Sequence, residues 1–308
     1  MSPSPKLPTT LLEAIKYFAD PDVCVQYVAS MRWPDGPVCP RCGCVEHSYI
    51  STRRVWKCKA CKKQYSVKVG AIFEDSPIGL DKWLASIWLI ANSKNGISSH
   101  ELGRAVGLTQ KSAWFVLHRI RLAMQTGSFD KFDGGIEVDE TYVGGKARNM
   151  HRAEKARKIG GKWDRNKTVV AGVLERGGKV RASVVADTHR HTLQGHVRQH
   201  VTPGASIYSD AHGGYSGLEV DYDHRVVDHA EKYVDGRVHT NGMENFWSLL
   251  KRGLHGTYVS VQPFHLFRYL DERCFTFNER HLDDLGRFQI VVAAVAGRRL
   301  TYAQLTGR

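Results

Sequence analysis

Apolar positions in the first 125 residues recur with the 3.6-residue period of helices. Residues 8–32 predict a helical lead that is broken and restarted at Pro21. Residues 79–125 predict three helices, of which the second opens with a capping box of Ser98 and Glu101. Because a short Gly-Leu-Thr turn joins the second and third helices, they have the plan of a helix-turn-helix motif. A plain three-helix bundle is the alternative interpretation.

The third of these helices carries the basic side chains that a helix-turn-helix would present to DNA. In that motif the second helix of the pair enters the major groove. The candidates on it are Lys111, His118, Arg119 and Arg121. We predict DNA contacts for Lys111 and Arg119.

Beyond residue 133, short apolar runs alternate with helical patterns, which is typical of an α/β domain. The pattern predicts a strand through Asp139, a hairpin that turns at Gly177-Gly178, a helix, and a strand ending in Asp210. A further helix begins near Asn241, which can cap it with Glu244 as the capping-box acid. The chain is predicted to be helical again from Pro263 onward.

Two cysteine pairs predict a structural zinc site. Cys39-x-x-Cys42 and Cys58-x-x-Cys61 are separated by 15 residues, which is within the spacing of a four-cysteine site. Two tight turns of this kind present four thiolates tetrahedrally to Zn²⁺. Short strands between the pairs complete the plan of a zinc ribbon, whereas a redox pair or chance spacing are the alternatives. Cys44 lies too close to Cys42 to replace it.

The charge balance favours a polyanionic partner. The 308 residues contain 44 Lys and Arg against 31 Asp and Glu, a net charge of +13. Such an excess favours nucleic acid, because each phosphate contact releases condensed counterions. Residues 146–167 concentrate this charge, with nine Lys and Arg against two acids.

The chain is expected in the cytoplasm, associated with the nucleoid and with no membrane partner. No apolar run reaches the roughly 18 residues of a membrane span. The first residues lack the apolar core and cleavage site of a signal peptide. Seven cysteines, an odd number, do not suggest a disulfide framework.

Three acids of the α/β region occupy a strand, the end of another strand and the start of a helix: Asp139, Asp210 and Glu244. Taken singly, each has a structural explanation as a turn residue or a helix cap. In their context, however, the chain resembles the insertion-sequence DDE transposases that carry an N-terminal zinc ribbon, relatives of the eukaryotic Merlin elements. The motifs that carry this resemblance are CPRCG, CKACKKQYSV, EVDETYVGGK, YSDAHGGY and HTNGMENFWSLLKRGLHGTY.

The resemblance implies an α/β fold: an RNase H-like catalytic domain, with a mixed sheet flanked by helices, preceded by a small zinc ribbon and a helix-turn-helix-like region. It implies that Asp139, Asp210 and Glu244 are catalytic. Three carboxylates can hold two Mg²⁺ ions about 3.5–4 Å apart. Our hypothesis is that Asp139 bridges both ions, while Asp210 and Glu244 each take one. Asn241 is the rival third ligand, and Glu140 ranks below Asp139 because it faces the other side of its strand.

Two basic residues follow Glu244 on the same predicted helix. The resemblance places Lys251 in a motif position seven residues after Glu244, on the same helical face, where it would contact a backbone phosphate. An ordinary solvated lysine is the alternative. We also predict a DNA contact for Arg252, the next residue.

These expectations divide the chain into five parts. They are a helical lead (1–35), a zinc ribbon (36–70), a helix-turn-helix-like region (78–126), a catalytic domain (133–281) and a C-terminal helical tail (282–308). The expected function is binding of insertion-sequence ends and Mg²⁺-dependent strand cleavage and transfer. Its partners would be double-stranded terminal inverted repeats and target DNA, with a homodimer or larger assembly on DNA. A non-catalytic DNA-binding regulator and a related RNase H-like nuclease are the alternatives.

Overall fold

A computed structural model describes residues 6–125, 130–145, 167–227 and 239–307. The basic stretch predicted from residue 146 lies outside the described residues except for Lys167. The chain forms two compact units. One unit contains residues 1–125 together with 279–308, and the other contains residues 126–278. The domain boundaries given above remain predictions.

The secondary structure alternates as the sequence pattern predicts. In the described ranges the helices are α1 (Leu11–Tyr17), α2 (Pro21–Arg32), α3 (Leu80–Asn92), α4 (Ser99–Val106), α5 (Gln110–Met124), α6 (Arg190–His200), α7 (Asn241–Gly253), α8 (Leu266–Asn278), α9 (Asp284–Ala293) and α10 (Tyr302–Thr306). The strands are β1 (His47–Ile50), β2 (Val55–Cys58), β3 (Gln64–Tyr65), β4 (Gly135–Val143), β5 (Thr168–Glu175), β6 (Val180–Val185), β7 (Ser206–Asp210) and β8 (Asp223–Val227). None of the helices in the described ranges is long and apolar enough to cross a bilayer.

The first unit combines a small ribbon with a helical core. Strands β1, β2 and β3 form an antiparallel sheet in that order. The capping box of Ser98 and Glu101 opens α4 as predicted, and Gly107 ends this helix in the left-handed conformation. Thr109 then caps α5 through the backbone N–H of Ser112.

An aromatic cluster ties the last helices of the chain into this first unit. The Phe288 ring on α9 lies 5.1–5.9 Å, centroid to centroid, from the rings of Phe18, Tyr27 and Trp88. A β-bridge also pairs Ala71 with Ala296. Aromatic pairs at such distances add to the burial of their surfaces. Residues from the two ends of the sequence therefore share one core.

The second unit is built on a five-stranded mixed sheet with the order β6-β5-β4-β7-β8. Strands β4, β5 and β6 are antiparallel neighbours, whereas β7 runs parallel to β4 and β8 runs parallel to β7. Helix α6 packs on one face of this sheet, and helices α7 and α8 pack on the other. The predicted fold class, α/β with a mixed sheet between helices, is confirmed.

Candidate active site and metal centre

The four predicted cysteines converge in the ribbon. Their sulfur atoms all lie within 4.8 Å of one another, and Cys39 and Cys58 are buried. Sγ of Cys39 is 3.7 Å from Sγ of Cys61, and Sγ of Cys42 is 3.5 Å from Sγ of Cys58. Four thiolates in this arrangement are the donor set of a structural zinc site. Cys44 stays outside the group, as predicted.

The two cysteine turns share one backbone geometry. The N–H of Cys39 donates to the carbonyl of Cys44, and the N–H of Cys58 donates to the carbonyl of Lys63 five residues on. The residue after each second cysteine, Gly43 or Lys62, has a positive φ. The backbone N–H of Cys61 is the largest cause of a pKa lowered to about 6 for the Cys58 thiol, acting against desolvation. A lowered pKa favours the thiolate that a metal requires.

The two predicted catalytic aspartates stand side by side on parallel strands. Glu137 of β4 pairs with Tyr208 of β7. Continued by two residues, this register brings Asp139 level with Asp210, the last residue of β7. Side chains at equivalent positions of neighbouring strands point to the same face of a sheet. Both carboxylates therefore lie on the face covered by α7, at the carboxyl end of β7.

The Asp139 carboxylate is held by two donors. The indole Nε1 of Trp247 donates to Oδ2 at 2.9 Å, and the N–H of Glu140 donates to Oδ1 at 2.8 Å. Burial is the largest cause of a pKa raised to about 7 for Asp139, followed by the negative charges of Asp210 and Glu140. The two hydrogen bonds oppose this shift without cancelling it.

Asp210 also shapes the loop that follows it. Its Oδ1 accepts the N–H of His212 at 3.1 Å, so the residue does form the turn that its position in the sequence allowed. This hydrogen bond involves only one of the two carboxylate oxygens, Oδ1. The structural and the catalytic interpretation of Asp210 are therefore compatible.

Glu140 faces the opposite side of the sheet, as the strand period predicts. Its Oε2 accepts the O–H of Tyr215 at 2.9 Å, and its Oε1 lies 3.8 Å from Nε2 of His212. Because the N–H of Gly214 donates to Nδ1 of His212, the histidine proton lies on Nε2 and points toward Glu140. Burial raises the pKa of Glu140. This network supports the loop after Asp210.

Helix α7 carries Glu244, but the predicted capping box does not form. The N-cap is Thr240, which makes no side-chain cap, and Asn241 is already the first helical residue. Instead, Oε2 of Glu137 on β4 accepts the N–H of Met243 at 3.0 Å. The sequence prediction was wrong because the cap comes from a residue more than a hundred positions earlier. Local spacing does not report such a contact.

The three acids do not form a closed cluster. Glu244 is exposed on α7, one turn before Trp247. Among the residues that the structure describes, the four cysteines are the one group of three or more potential ligands with donor atoms all within 4.8 Å. The carboxylates of Asp139, Asp210 and Glu244 are therefore spaced more widely than the zinc ligands.

The predicted DNA contacts differ in their accessibility. Lys111, Lys251 and Arg252 are exposed. Arg119, in contrast, is 4% exposed and donates to the backbone carbonyls of Ile72, Glu74 and Leu300. We correct this prediction: Arg119 holds neighbouring segments of the first unit together. His118 and Arg121 on the same helix are buried as well.

Comparisons with known proteins agree with these features. A family profile described as an ISXO2-like transposase domain matches residues 131–278, and a transposase zinc-ribbon profile matches residues 20–64. The chain is 25% identical over 256 residues, 78% of its own length and 85% of the relative, to an uncharacterized protein in transposable element ISH50 of Halobacterium salinarum. An uncharacterized transposase-like protein of Haemophilus influenzae is 29% identical over 105 residues, 34% of this chain and 85% of the relative.

The mixed sheet, the zinc ribbon and these matches define a transposase. The chain belongs to the insertion-sequence transposases that join a zinc ribbon to an ISXO2-like domain. The resemblance inferred from the sequence motifs is confirmed.

Two residues near the candidate site were not singled out from the sequence. Trp247, a buried aromatic residue of α7, donates to Asp139. Glu137 is 1% exposed and lies two residues before Asp139, on the same strand face. A charged residue inside an otherwise apolar strand, in phase with Asp139, is the signal that would have identified Glu137.

Proposed function

We propose that this transposase is a Mg²⁺-dependent enzyme that cleaves DNA at the ends of an insertion sequence and transfers those ends to target DNA. The observation that carries the proposal is the pair Asp139 and Asp210, level with each other on adjacent parallel strands. Burial, followed by the nearby charges of Asp210 and Glu140, raises the pKa of Asp139 to about 7. A bound cation would relieve that repulsion, so the donor set fits a hard divalent metal.

Asp139, Asp210 and Glu244 would supply the oxygen ligands. Bound Mg²⁺ would activate the attacking oxygen and stabilise the leaving oxygen. The helix geometry favours Glu244 over Asn241 as the third ligand. At about 100° per residue, Glu244 lies about 60° around α7 from Trp247, whereas Asn241 lies about 120° away. Since Trp247 contacts Asp139, Glu244 is on the nearer flank of the helix.

Exposed basic residues would bind the DNA backbone. Lys251 stands two turns beyond Glu244 on the same face of α7, roughly 10 Å away along the axis, and Arg252 follows it. Lys111 lies in the first turn of α5, after the short turn from α4. Such phosphate contacts position a duplex without reading its sequence. The partners would be double-stranded terminal repeats and target DNA, brought together by at least two copies of the chain.

Two displacements at phosphorus make up the proposed reaction. A water oxygen first attacks the phosphodiester at the element end, and the bond to the 3′ oxygen breaks to leave a 3′-OH. That 3′-OH then attacks a target phosphate, forming a new P–O3′ bond and releasing a target 3′-OH. The first step is a hydrolysis and the second a transesterification. Each breaks one P–O bond and forms another, so no energy-rich cofactor is required.

The test is a strand-transfer assay with labelled terminal-repeat DNA, a target plasmid and Mg²⁺. Asp139→Asn, Asp210→Asn and Glu244→Gln should each reduce joined product by about 10²-fold or more, because each removes a charged ligand. Asn241→Ala should keep most of the activity. The substituted proteins should still bind terminal-repeat DNA in a mobility-shift assay, since binding relies on basic residues elsewhere.

The same assay separates the alternatives. Cleaved ends without joined product would identify a nuclease. End binding without any metal-dependent cleavage in the unsubstituted protein would identify a DNA-binding regulator. Full activity in all three acid variants would refute the proposed active site.

A further inference from the structure

Glu137 is a buried carboxylate that joins three segments of the second unit. It lies on β4 and is 1% exposed. Its Oε1 accepts from Nε of Arg176, at the turn after β5, at 3.0 Å. Its Oε2 accepts the N–H of Met243 in the first turn of α7 at 3.0 Å. A buried carboxylate with a charged partner and a backbone donor is fixed in place, because any displacement would leave it unpaired.

Arg176 extends this connection to the segment just before α7 and to β7. Its Nη2 donates to the backbone carbonyl of His239 at 2.6 Å. Its guanidinium carbon lies 3.8 Å from the ring centroid of Tyr208, two residues before Asp210. Nδ1 of His239 is also 3.4 Å from Oε1 of Glu137, without the geometry of a hydrogen bond. One ion pair thus touches the strands of both aspartates and the start of the helix that carries Glu244.

Helix α7 has a second attachment to β4 one turn later, through Trp247 and Asp139. The two attachment points on the helix, Met243 and Trp247, are about 6 Å apart along its axis. The two on the strand, Glu137 and Asp139, are about 6.6 Å apart. Because these spans match, the helix follows the strand between its two attachments. Glu244 lies on the turn between them.

Two glycines allow this close approach. A Cβ added to Gly242 would lie 2.7 Å from Oε2 of Glu137. A Cβ added to Gly172, the β5 partner of Asp139, would lie 2.4 Å from Cε of Met243 and 2.8 Å from the Trp247 ring. The helix therefore sits against the sheet at a distance that only glycine permits at these positions.

We propose that Glu137 is a positioning residue of the active site. Together with Trp247 it fixes α7 at two points along β4 and thereby sets where Glu244 stands relative to Asp139. This inference rests on the proposed function, because it assigns Glu137 to the support of the same three carboxylates. Glu137 itself points to the helix end and is engaged by Arg176 and Met243, so it acts through the helix.

The experiment compares Glu137→Ala and Glu137→Gln with Val197→Ala in the full chain. The glutamine keeps an acceptor for the Met243 N–H but loses the charge that pairs with Arg176. Val197 is 1% exposed on α6, on the other face of the sheet, so its truncation creates a cavity without touching α7. It controls for a general loss of packing.

The first measurement is the indole N–H resonance of Trp247 in ¹⁵N-labelled metal-free protein, assigned by its disappearance in Trp247→Phe. In Glu137→Ala we expect this resonance to move toward the position of an unbonded indole. Its exchange with solvent should accelerate by about tenfold or more, because the bond to Asp139 is no longer held. Glu137→Gln should give a smaller change in the same direction, and Val197→Ala should leave the resonance in place.

The second measurement is strand transfer as a function of Mg²⁺ concentration, with terminal-repeat binding measured alongside. In Glu137→Ala the half-saturating Mg²⁺ concentration should rise about tenfold or more, as happens when a partner that orients metal ligands is removed. DNA binding should be retained, and Val197→Ala should shift the Mg²⁺ requirement by less than about twofold. If Glu137→Ala does not fold, Glu137→Gln serves for both measurements.

The outcomes separate this inference from the proposed function. An unchanged Trp247 resonance and an unchanged Mg²⁺ requirement in a folded Glu137 variant would overturn the inference. Equal shifts in Val197→Ala would reduce Glu137 to a packing role. If the Trp247 resonance moves in Glu137→Ala but the unsubstituted protein shows no strand transfer, the role of Glu137 in attaching α7 stands. The proposed reaction is then refuted.

Discussion

Asp139 works against folding in the metal-free protein. Its pKa is raised to about 7 by burial and by the nearby charges of Asp210 and Glu140. Between the ordinary value of 3.8 and about pH 7, the folded state binds more protons than the unfolded state. The free energy of unfolding therefore falls as the pH rises through that window. Above pH 7 the Asp139 carboxylate is ionised in both states, and its destabilisation of the folded state is complete. This destabilisation follows from keeping two carboxylates close together for function.

Replacing Asp139 with Asn should therefore stabilise the metal-free protein. At pH 8 we expect the free energy of unfolding to increase by about 1–3 kcal/mol, given a pKa shift of roughly three units reduced by partial solvent access. The gain should nearly vanish near pH 3.5, where the carboxyl is mostly protonated in both states. Urea unfolding at the two pH values measures it, with the exposed Asp133→Asn as control. A destabilised variant at pH 8 would contradict this account of the pKa.

The two cysteine turns allow a matched test of backbone strain. Gly43 and Lys62 occupy equivalent positions with φ of 73° and 60°. Lysine is strained there and glycine is not. Lys62→Gly should raise the free energy of unfolding by about 0.5–1 kcal/mol, whereas Gly43→Ala should lower it by about 1 kcal/mol. A Cβ at Gly43 meets nothing within 4 Å, so steric contact cannot account for a loss. Changes of the same sign in both variants would rule out this explanation.

At the scale of elements, the close contact between α7 and the sheet is the least tolerant feature. Gly172 lies beneath Met243 and Trp247, both of them buried. Alanine at this position would push α7 away from β5 and weaken the bond from Trp247 to Asp139. The consequence should reach both stability and catalysis, because one displacement affects the core and the proposed metal ligand together.

Gly172→Ala should lower the free energy of unfolding by about 1–3 kcal/mol, as overpacking of a well-packed core does. Strand transfer should fall more than stability alone would explain, at a temperature where the variant remains folded. The matched control is Gly195→Ala in α6, where an added Cβ meets nothing within 4 Å. That change should stabilise by about 0.5–1 kcal/mol, because alanine favours a helix over glycine. Urea unfolding and strand transfer, measured on both glycine variants, test this prediction.

The sequence predicted the strands and helices of the second unit well. It did not predict how neighbouring strands align with one another. The hairpin at Gly177-Gly178 and the strand ending in Asp210 follow from local period and turn residues. The alignment of Asp139 with Asp210 does not, because it depends on which strands become neighbours and by what offset. Glu137 escaped notice for the same reason, since its partners Arg176 and Met243 are 39 and 106 residues away.

The predicted DNA contact of Arg119 was wrong because this side chain is buried. Arg119 has the spacing and charge of a DNA contact on a recognition helix. The carbonyl groups that bind it come from segments 45 to 181 residues away in the sequence. Helical period alone does not distinguish a basic residue that faces a groove from one that satisfies buried carbonyl groups. The cysteine pairs were predictable because their spacing alone constrains the site.

For the whole molecule, the ribbon should depend on zinc. Its three strands contain ten residues in total (4, 4 and 2), too few to form a stable core alone. Chelation of zinc, or Cys58→Ser, should lower the hydrogen-exchange protection of the β1–β2 amides by about tenfold or more, because metal binding supplies folding free energy. Cys44→Ser should leave the protection unchanged. Metal analysis should find about one zinc per chain. Unchanged protection after complete zinc removal would refute the prediction.

The sharing of one unit by residues 1–125 and 279–308 has a consequence for biosynthesis. The ribosome makes Phe18, Tyr27 and Trp88 before the ISXO2-like domain, whereas Phe288, which packs against all three, is made after it. The zinc-ribbon unit therefore completes its core only after the whole ISXO2-like domain has been synthesised. A nascent or truncated chain that ends at Asn278 has this aromatic surface uncovered. Completion of the first unit is thereby coupled to translation of the residues that follow the ISXO2-like domain.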